Sequence, residues 1–511
     1  MIGHECGVAA VALKSKSPED YAGGGVLEYL KLMMIELQNR GQETCGFYSF
    51  NPFKTKTLDG PQKIFGPVTE LFRINSQLER DRILKEYGGL RAIGHVRYAT
   101  SGRSKSEKEW LDEAQPFYHR NGNPHKRFVL AWNGNLANHN ELKEHLFNEY
   151  GDVPETSVDT ELLMYLIEHN IEGLFNGNRE PDFVEVLRKT QERIDGGLSL
   201  VLMNGLGHIV AYRGVPGVRP LCYGENDYLF AVASETSALA KVGIKDFNFF
   251  DPGQLIIYND TLRSFQVGNS NDEKDCFFEK LYFAKIVSEF KNLPVNEFRE
   301  RLGVKLAELE PLKDKLDQTY MVVPIPDTSI PAARKMAQRL GIEYSEVLIK
   351  NPYSGRTFIE KQEMREERMK IKFSYIPGKV EGKKILLVDD SIVRGNTAGR
   401  IVHEIRSALN PAEVHFRSTC PPIVSPCFYG IDFPTLDELI AHHYSESPNI
   451  EGEIARTIGA DSMKYMTIDG LVDVFKSFGV SRDKLCLACI TGKYPTFYGQ
   501  KRLEELLGLS K

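Results

Sequence analysis

Several features that mark other classes of protein are missing from this sequence. No apolar run approaches the length of a bilayer-spanning helix, and the N-terminus lacks the basic-then-apolar pattern of a secretory signal. The formal net charge of −6 shows no basic excess of the kind that a dedicated nucleic-acid-binding protein carries. We therefore expect a cytoplasmic protein that binds neither membrane nor nucleic acid.

The cysteine content excludes a disulfide-rich scaffold. In a cytoplasmic chain of this size we expect no disulfide framework, so catalysis, metal binding or burial must account for the eight cysteines. Otherwise the composition is that of a soluble globular protein, with 41% hydrophobic and 26% charged residues. The length exceeds that of one ordinary core, which predicts two or three domains.

The first half of the chain is rich in short apolar runs separated by turn signals, and a few helical patterns interrupt them. This order predicts an α+β domain of stacked sheets and helices that closes near Gly268. The predicted strands are Gly7–Leu13, Arg91–Arg97, Phe128–Trp132, Leu198–Met203 and Tyr228–Ala233, and the predicted helices are 25–37, 160–169 and 184–194.

The second half alternates strand and helix patterns. Strand patterns at 319–325, 384–388 and 413–417 are separated by helical patterns at 330–340 and 398–409. Such alternation predicts an α/β domain with a parallel sheet, which binds ligands at the carboxyl ends of its strands. We assign this domain to residues 269–475, followed by a C-terminal segment at 476–511.

The stretch Ile385–Thr397 carries the clearest chemical signal. A strand delivers Asp389 and Asp390 to its carboxyl end, and a loop with Ser391 and Thr397 then enters a helix. Backbone N–H groups of such a loop form a nest for phosphate, while paired acids suit a sugar diol or Mg²⁺. The alternative is an ordinary strand–helix turn with a solvated acid pair.

This stretch resembles the signature of type I phosphoribosyltransferases, which bind phosphoribosyl pyrophosphate (PRPP). The upstream strand end at 323–330 is a second candidate ligand loop, and the basic segment 350–359, with Arg365 and Arg368, is either a lid over pyrophosphate or a solvated loop. The resemblance implies PRPP binding by Asp389, Asp390, Ser391, Arg394, Gly395, Asn396, Thr397, Lys350 and Arg356, and Mg²⁺ binding by Asp389, Asp390, Asp327 and Ser391.

Cys6 opens the run Cys6–Leu13 and admits two interpretations. Free cysteine is among the most buried residue types, so Cys6 on its own reads as the start of a buried strand. The other interpretation is a nucleophile whose base is its own α-amine, since that amine has a pKa of about 7.7–8.0 once it is freed.

With these motifs in hand, the first half resembles the αββα glutaminase domain of the N-terminal-nucleophile amidotransferases. The whole chain is similar to the glutamine PRPP amidotransferases, and specifically to their iron–sulfur branch. The stretches that carry the resemblance are Glu5-Cys6-Gly-Val, Leu37-Gln-Asn-Arg-Gly-Gln-Glu43, Gly94-His-Val-Arg-Tyr-Ala-Thr100, Trp132-Asn-Gly-Asn-Leu136, Asp159-Thr-Glu161 and Gly217-Val-Arg-Pro-Leu221.

The resemblance implies a set of roles in the first half. Cys6 would attack the glutamine amide after removal of a propeptide at residues 1–5, leaving a glutaminase domain at 6–268. Asn133 and Gly134, in an Asn-Gly-Asn turn, would hold the oxyanion. Arg97 would bind the glutamine carboxylate, for which its guanidinium fork is well shaped. Asp159 would bind the α-amine, and Arg40 would support the site.

It also implies what the complete enzyme makes. Ammonia from glutamine would pass through an internal channel to C1 of PRPP, giving 5-phosphoribosylamine, pyrophosphate and glutamate, the first step of de novo purine synthesis. One Mg²⁺ per subunit would orient the pyrophosphate. Purine nucleotides of the AMP or GMP type would be feedback inhibitors, and the protein would be a homotetramer.

The pair Cys486 and Cys489 has a spacing that fits zinc, a redox pair or an iron–sulfur cluster, and spacing alone favours zinc. The resemblance instead implies one [4Fe–4S] cluster per subunit on Cys276, Cys427, Cys486 and Cys489. Cys420 lies close to this set in sequence, and we expect Cys45 and Cys222 to be buried apolar residues.

The sequence departs from the family pattern at four places. Trp132 and Asn39 each replace a histidine, the interdomain motif becomes Tyr282-Phe-Ala-Lys-Ile-Val-Ser288, and Pro352 replaces a lid arginine. These changes keep open a divergent paralogue with an altered acceptor or altered regulation. Two other interpretations compete with the main one: a glutamine-dependent sugar-phosphate aminase, which would share the first half but not the PRPP loop, and a non-catalytic PRPP or nucleotide sensor. Retention of Cys6, Arg97 and the acid pair argues against the sensor.

Overall fold

The computed structural model describes residues 4–14, 24–52, 60–99, 106–177, 179–351, 373–433 and 435–509, with the backbone alone at 4, 5, 98 and 99. Several predicted features lie outside these ranges: residues 1–3 of the propeptide, Arg356 of the PRPP site, and Pro352, Arg365 and Arg368 of the candidate lid. Within the ranges, no helix has both the length and the apolar content needed to cross a membrane.

The chain divides into two compact units. The first consists of Met1–Asp275, Phe428–Asp432 and Tyr494–Lys511, and the second of Cys276–Cys427 and Phe433–Lys493. The backbone therefore passes between the units four times rather than once. Two short stretches from the second half of the sequence belong to the first unit.

Two antiparallel sheets form the centre of the first unit. Among the described residues, one sheet has seven strands in the order Asn248–Phe249, Cys222–Glu225, Leu229–Ala233, His4–Leu13, Arg91–Ala99, Thr44–Phe50 and Gln62–Phe65. The other has six, in the order Leu262–Gln266, Gln254–Tyr258, Ile209–Arg213, Gly196–Asn204, Phe128–Leu136 and Phe117–His119.

The first unit has four layers, with a hydrophobic cluster between each layer and the next. Alternate residues of a strand point to opposite faces, so Ala9 packs towards the helix Val26–Glu36, whereas Val8 and Ala10 join Val129 of the other sheet. The outer face of the six-stranded sheet is covered by the helices His139–Tyr150, Asp159–Leu174 and Phe183–Arg193. The first unit is thus the predicted αββα sandwich.

A five-stranded parallel sheet forms the centre of the second unit, as the strand–helix alternation predicts. Its described strands lie in the order Glu343–Tyr344, Tyr320–Pro324, Lys384–Asp389, Glu413–Ser418 and Ser462–Tyr465. The helix Asn396–Leu409 packs on it through Ile401, Val402 and Ile405, close to the helix Ile450–Ile458. Three two-stranded pairs complete the strands: Asp275–Cys276 with Leu485–Cys486, Glu289–Phe290 with Leu293–Pro294, and Leu348–Lys350 with Phe373–Tyr375.

The described residues form ten further α-helices. They are Val68–Leu71, Gln77–Tyr87, Glu107–Asp112 and Thr236–Lys241 in the first half, then Val295–Glu308, Ile330–Leu340, Ile440–His443, Ile468–Lys476, Ala488–Thr491 and Phe497–Leu506. Val295–Glu308 and Ile330–Leu340 approach so closely that a Cβ at Gly303 would lie 2.0 Å from the Ala332 carbonyl oxygen. Glycine at 303 is therefore a packing requirement.

The predicted strands and helices are confirmed, with ends shifted by a few residues, but the Asn-Gly-Asn turn is wrong. Asn133 and Gly134 lie inside the strand Phe128–Leu136 and pair in register with Ser199 and Leu198. The long ladder to the neighbouring strand outweighs the local turn preference of this tripeptide. Gly134 adopts φ 155°, and a Cβ there would lie 1.8 Å from the Gly197 carbonyl oxygen.

Candidate functional site

Cys6 lies on a central strand of the seven-stranded sheet and is 1% exposed. It is paired directly with Arg97 on the neighbouring strand, and directly opposed residues of an antiparallel pair share a face. Because Cys6 alternates with Gly7, its face is that of Val8, which looks towards the six-stranded sheet. The register therefore places Cys6 and Arg97 together between the two sheets.

Arg97 is buried and has an acidic neighbour. Its Nη2 lies 3.2 Å from Glu113 Oε2, and its Cζ lies 5.6 Å from the centre of the Trp110 ring. Glu113 also accepts a hydrogen bond of 3.1 Å from Ser157 Oγ. The pKa of nearby Lys63 is lowered to about 8, mainly by burial and in part by the Arg97 guanidinium. A buried guanidinium with a half-buried lysine in the same region favours an anionic group such as an amino-acid carboxylate.

Arg40 lies on the other face of the nucleophile strand. Its Nε is 2.5 Å from Glu235 Oε1, and both side chains are almost fully buried. Asn39, which replaces a family histidine, donates from Nδ2 to the same Glu235 oxygen at 2.8 Å. A Cβ at Gly7 would lie 3.3 Å from Arg40 Cδ. This position fits the expected supporting role, because Arg40 packs behind the residue that follows Cys6.

The side-chain amide of Asn133 is buried, and its oxygen end has a hydrogen-bond partner. Its Oδ1 accepts a hydrogen bond of 3.3 Å from Arg219 Nε. Its Nδ2 is buried and has no hydrogen-bond partner within the described residues. A buried donor without a partner costs free energy, and such groups in native structures call for an explanation. A ligand oxyanion is one group that would satisfy it.

Asp159 begins the helix Asp159–Leu174 and anchors the end of the Asn133 strand. Its Oδ2 accepts a hydrogen bond of 2.7 Å from the Leu136 amide, and its Oδ1 pairs with His139 Nδ1. The next residue, Thr160, accepts from Trp132 Nε1 at 2.9 Å. Trp132 thus fills the position of the family histidine by packing and by one hydrogen bond. Sequence reasoning gave no role to His139 or to Thr160, although Thr160 lies within the motif Asp159-Thr-Glu161.

A short segment from the second half of the chain, Phe428–Gly430, packs against the same strand. The Phe428 carbonyl accepts from Asn135 Nδ2 at 3.3 Å, and Tyr429 Oη lies 2.8 Å from Thr496 Oγ1. Gly430 has φ 107°, and a Cβ there would lie 3.0 Å from the Gly134 carbonyl carbon. A side chain at 430 would press on Gly134. No local sequence signal joins residues so far apart in the chain.

The predicted PRPP site lies at the carboxyl end of the strand Lys384–Asp389. The Asp390 amide donates to Asp389 Oδ1 at 2.8 Å, and Ser391 Oγ donates to Asp390 Oδ1 at 2.8 Å. Gly395 caps the helix Asn396–Leu409 with φ 79°, and no side chain caps its N-terminus. Backbone N–H groups at an uncapped helix N-terminus attract phosphate.

Other residues of the predicted PRPP site lie in the same unit. Lys350 Nζ is 2.5 Å from Asp327 Oδ2, so the second ligand loop and the base of the candidate lid are joined. The strand Leu348–Lys350, whose last residue begins the candidate lid, pairs with Phe373–Tyr375. Arg394 Nε lies 3.2 Å from Glu438 Oε1, while Asn396 and Thr397 are exposed in the first helical turn.

The four predicted cluster cysteines belong to the second unit. Burial raises the pKa of the Cys489 thiol, and Cys427, Cys276, Cys420 and Cys486 raise it further, so these five thiols are neighbours. The Cys489 carbonyl accepts from the Val424 and Ser425 amides at 2.8 and 3.1 Å. Across the described ranges, no three His, Cys, Asp or Glu side chains are arranged as a ready metal site.

Comparison with known proteins agrees with both halves of this description. A model for a glutamine amidotransferase domain matches residues 104–241, and one for a phosphoribosyl transferase domain matches residues 308–421. The amidophosphoribosyltransferase of Bacillus subtilis is 36% identical over 499 residues, covering 97% of this chain and 95% of its own. That of Archaeoglobus fulgidus is 36% identical over 465 residues, covering 90% and 93%.

Two solved structures are similar over the whole chain. The B. subtilis glutamine PRPP amidotransferase in complex with ADP and GMP superposes with a TM-score of 0.77 at 34% identity, covering 96% of this chain and 98% of its own. A second structure, described as the allosteric regulatory enzyme of purine biosynthesis, gives a TM-score of 0.78 at 35% identity and covers 96% and 97%.

The two units therefore define a glutamine amidotransferase joined to a phosphoribosyltransferase. The chain belongs to the amidophosphoribosyltransferase family, whose members are glycosyltransferase-type enzymes of purine biosynthesis.

Proposed function

We propose that this chain hydrolyses glutamine at Cys6 and uses the ammonia to displace pyrophosphate from PRPP. The products are glutamate, 5-phosphoribosylamine and pyrophosphate. The observation that carries the proposal is the buried Asn133 Nδ2 donor on the inner face of one sheet, with Cys6 and its cross-strand neighbour Arg97 on the inner face of the other. The chain also presents the Asp389–Asp390 pair close to a helix N-terminus.

The glutaminase step follows from the chemistry of these groups. The Cys6 thiolate adds to the glutamine amide carbon, and the carbonyl oxygen becomes an oxyanion that accepts from Asn133 Nδ2 and the Gly134 amide. The C–N bond then breaks, ammonia leaves with the proton held by the base, and a thioester remains. Water hydrolyses the thioester to glutamate. Arg97 pairs with the substrate carboxylate, for which it would exchange its present partner Glu113.

The base in this step is the α-amine of Cys6, which exists only after cleavage before Cys6. In the precursor the backbone of His4 and Glu5 continues the strand and pairs with Ala99 and Tyr98. The Cys6 nitrogen is then an amide and cannot accept a proton. We therefore expect the N-terminal sequence of the active enzyme to begin with Cys-Gly-Val.

The transfer step rests on the second unit. The first turn of Asn396–Leu409 and the Ser391 and Thr397 hydroxyls bind the 5-phosphate, and the acid pair orients the ribose and pyrophosphate. The oxygen donors of Asp389, Asp390 and Ser391 fit Mg²⁺, which would neutralise charge on the leaving pyrophosphate when bound. Asp327 could join this set by releasing Lys350. Ammonia attacks C1 as the C1–O bond to pyrophosphate breaks.

The experiment that tests the proposed function compares nitrogen donors. Purified enzyme with PRPP, Mg²⁺ and glutamine should release pyrophosphate and glutamate in equal amounts, and ammonium chloride should replace glutamine at high pH. A non-catalytic sensor would bind PRPP without releasing pyrophosphate. A divergent paralogue would release glutamate but would leave PRPP intact and aminate another sugar phosphate.

We extend the proposal to a [4Fe–4S] cluster on Cys276, Cys427, Cys486 and Cys489. Its support is the neighbourhood of these four thiols within one unit, three of them buried and Cys427 half-buried, together with the pairing of Asp275–Cys276 with Leu485–Cys486. Four thiolates are the usual donor set for such a cluster. When bound, the cluster would hold three separate chain segments together.

Anaerobic purification tests this assignment. The protein should be brown and contain about four iron atoms per chain, as a cubane cluster requires. A Cys427→Ser variant should lose iron, whereas Cys45→Ser should keep it, since Cys45 is buried in the first unit and donates to the Gly66 carbonyl. A colourless protein that carries zinc would contradict the assignment.

One similar structure holds ADP and GMP, so we propose purine nucleotides as feedback ligands of this chain. The homotetramer implied by the family resemblance stays a prediction.

A further inference from the structure

Three residues form a row across the six-stranded sheet. Asn133 is paired with Ser199 on the next strand, and Ser199 is paired with Arg213 on the strand after that. Side chains directly opposed in an antiparallel sheet stand on the same face. The row therefore begins at the proposed oxyanion donor and continues away from it across two strands.

Arg219 spans this row from outside the sheet. Its carbonyl oxygen accepts from Ser199 Oγ and from Arg213 Nε, both at 3.0 Å, and its own Nε donates to Asn133 Oδ1 at 3.3 Å. The side chain is 1% exposed, and its Cγ would lie 3.0 Å from a Cβ at Gly197. Ser199 and Arg213 thus hold the Arg219 carbonyl group with two hydrogen bonds, and the Arg219 side chain reaches Asn133, the third residue of the row.

The chemistry of the pair decides how the Asn133 amide is oriented. A guanidinium has only donors, so the atom of Asn133 that faces Nε must be the oxygen. The Nδ2 end then points the other way, where it has no partner within the described residues. A flipped amide would set two donors against each other and would present an acceptor to the oxyanion.

We propose that Arg219 is the positioning residue that fixes the Asn133 amide with Nδ2 directed at the oxyanion. This inference rests on the proposed glutaminase activity and goes beyond it, because it assigns the orientation of a donor to a residue 86 positions away in sequence. In this assignment Arg219 acts through Asn133.

A matched pair of variants separates the hydrogen bond from the charge and the packing. Arg219→Gln places an amide nitrogen at the position of Nε, whereas Arg219→Met places a methyl group there. Both remove the positive charge and have similar volumes. Arg219→Met should lower glutamine-dependent kcat by about 10²-fold, the usual effect of a lost or misplaced oxyanion donor, whereas Arg219→Gln should stay within about tenfold of wild type.

Three further readouts identify the cause. KM for glutamine should change little, since oxyanion contacts act in the transition state. The rate of Cys6 alkylation by iodoacetamide, followed on the Cys6 peptide by mass spectrometry, should change less than about twofold, because this reaction forms no oxyanion. Ammonia-dependent pyrophosphate release should remain, which shows that the second unit is folded, while the unchanged rate of Cys6 alkylation reports on the first unit.

Equal loss of glutamine-dependent kcat in the two variants would overturn the inference, as would parallel loss of the ammonia-dependent activity. If both variants fail to fold, Ser199→Ala serves in their place: it removes one of the two bonds to the Arg219 backbone and should lower kcat severalfold at unchanged KM, and an unchanged kcat would overturn the inference. Wild-type enzyme without glutaminase activity would instead refute the proposed function.

Discussion

Replacing Cys6 by alanine should lower glutamine-dependent formation of 5-phosphoribosylamine by roughly 10³-fold or more, because the thioester can no longer form. Ammonia-dependent formation should stay within about twofold of wild type, since free ammonia bypasses the first unit. Pyrophosphate release with each donor, measured on the same preparation, gives both rates.

The control for this variant is Cys45→Ala. Cys45 is also a buried thiol on a strand of the seven-stranded sheet, but it joins the cluster on the helix side and donates to the Gly66 carbonyl at 3.3 Å. Its loss should leave both nitrogen donors usable. A Cys6→Ala enzyme that still used glutamine would assign the nucleophile to another residue, and one that lost both activities would place Cys6 in the transfer step.

Replacing Arg417 by methionine should destabilise the second unit by about 3–5 kcal/mol, the usual effect of breaking a buried ion pair from one side. Arg417 binds Glu310 through two hydrogen bonds of 2.6 and 2.7 Å, and both side chains are fully buried. The variant leaves the Glu310 carboxylate buried beside an apolar side chain.

Hydrogen exchange of the strand Glu413–Ser418 measures this effect where it occurs, because amide protection reports local as well as global opening. The two tryptophans, Trp110 and Trp132, lie in the first unit, so their fluorescence-detected unfolding is an internal control that should change little. The double variant Arg417→Met with Glu310→Leu should recover most of the protection. Equal protection in the single variant and wild type would contradict the prediction.

Local features of the fold could be predicted from the sequence, because each strand and helix carries its own period of apolar residues. The acid pair and the glycine-capped helix at 395–396 were also local, since strand, loop and helix follow one another directly. The Asn133–Gly134 stretch was misplaced for the same reason: its turn preference is local, whereas the ladder that keeps it extended comes from residues 197–199.

The rest of the site depends on contacts between distant parts of the chain, and the spacing of apolar residues within one strand or helix does not predict such contacts. Arg219 reaches Asn133 only because three strands bring their residues into register. Gly430 reaches Gly134 across almost three hundred residues. Asp159 was predicted to bind the substrate amine. Its hydrogen bond to the Leu136 amide could not be predicted, because it requires the start of the helix Asp159–Leu174 to lie beside the end of the strand Phe128–Leu136.

The division of the first unit into three chain segments sets an order for its synthesis on the ribosome. Residues 1–275 emerge first and contain Cys6, Arg97 and Asn133, but Phe428–Asp432 and Tyr494–Lys511 are made much later. Until then Gly134 lacks Gly430 as its neighbour, and Tyr429 cannot bond to Thr496. A nascent chain therefore lacks these contacts of the first unit until residues 428–432 and 494–511 have been translated.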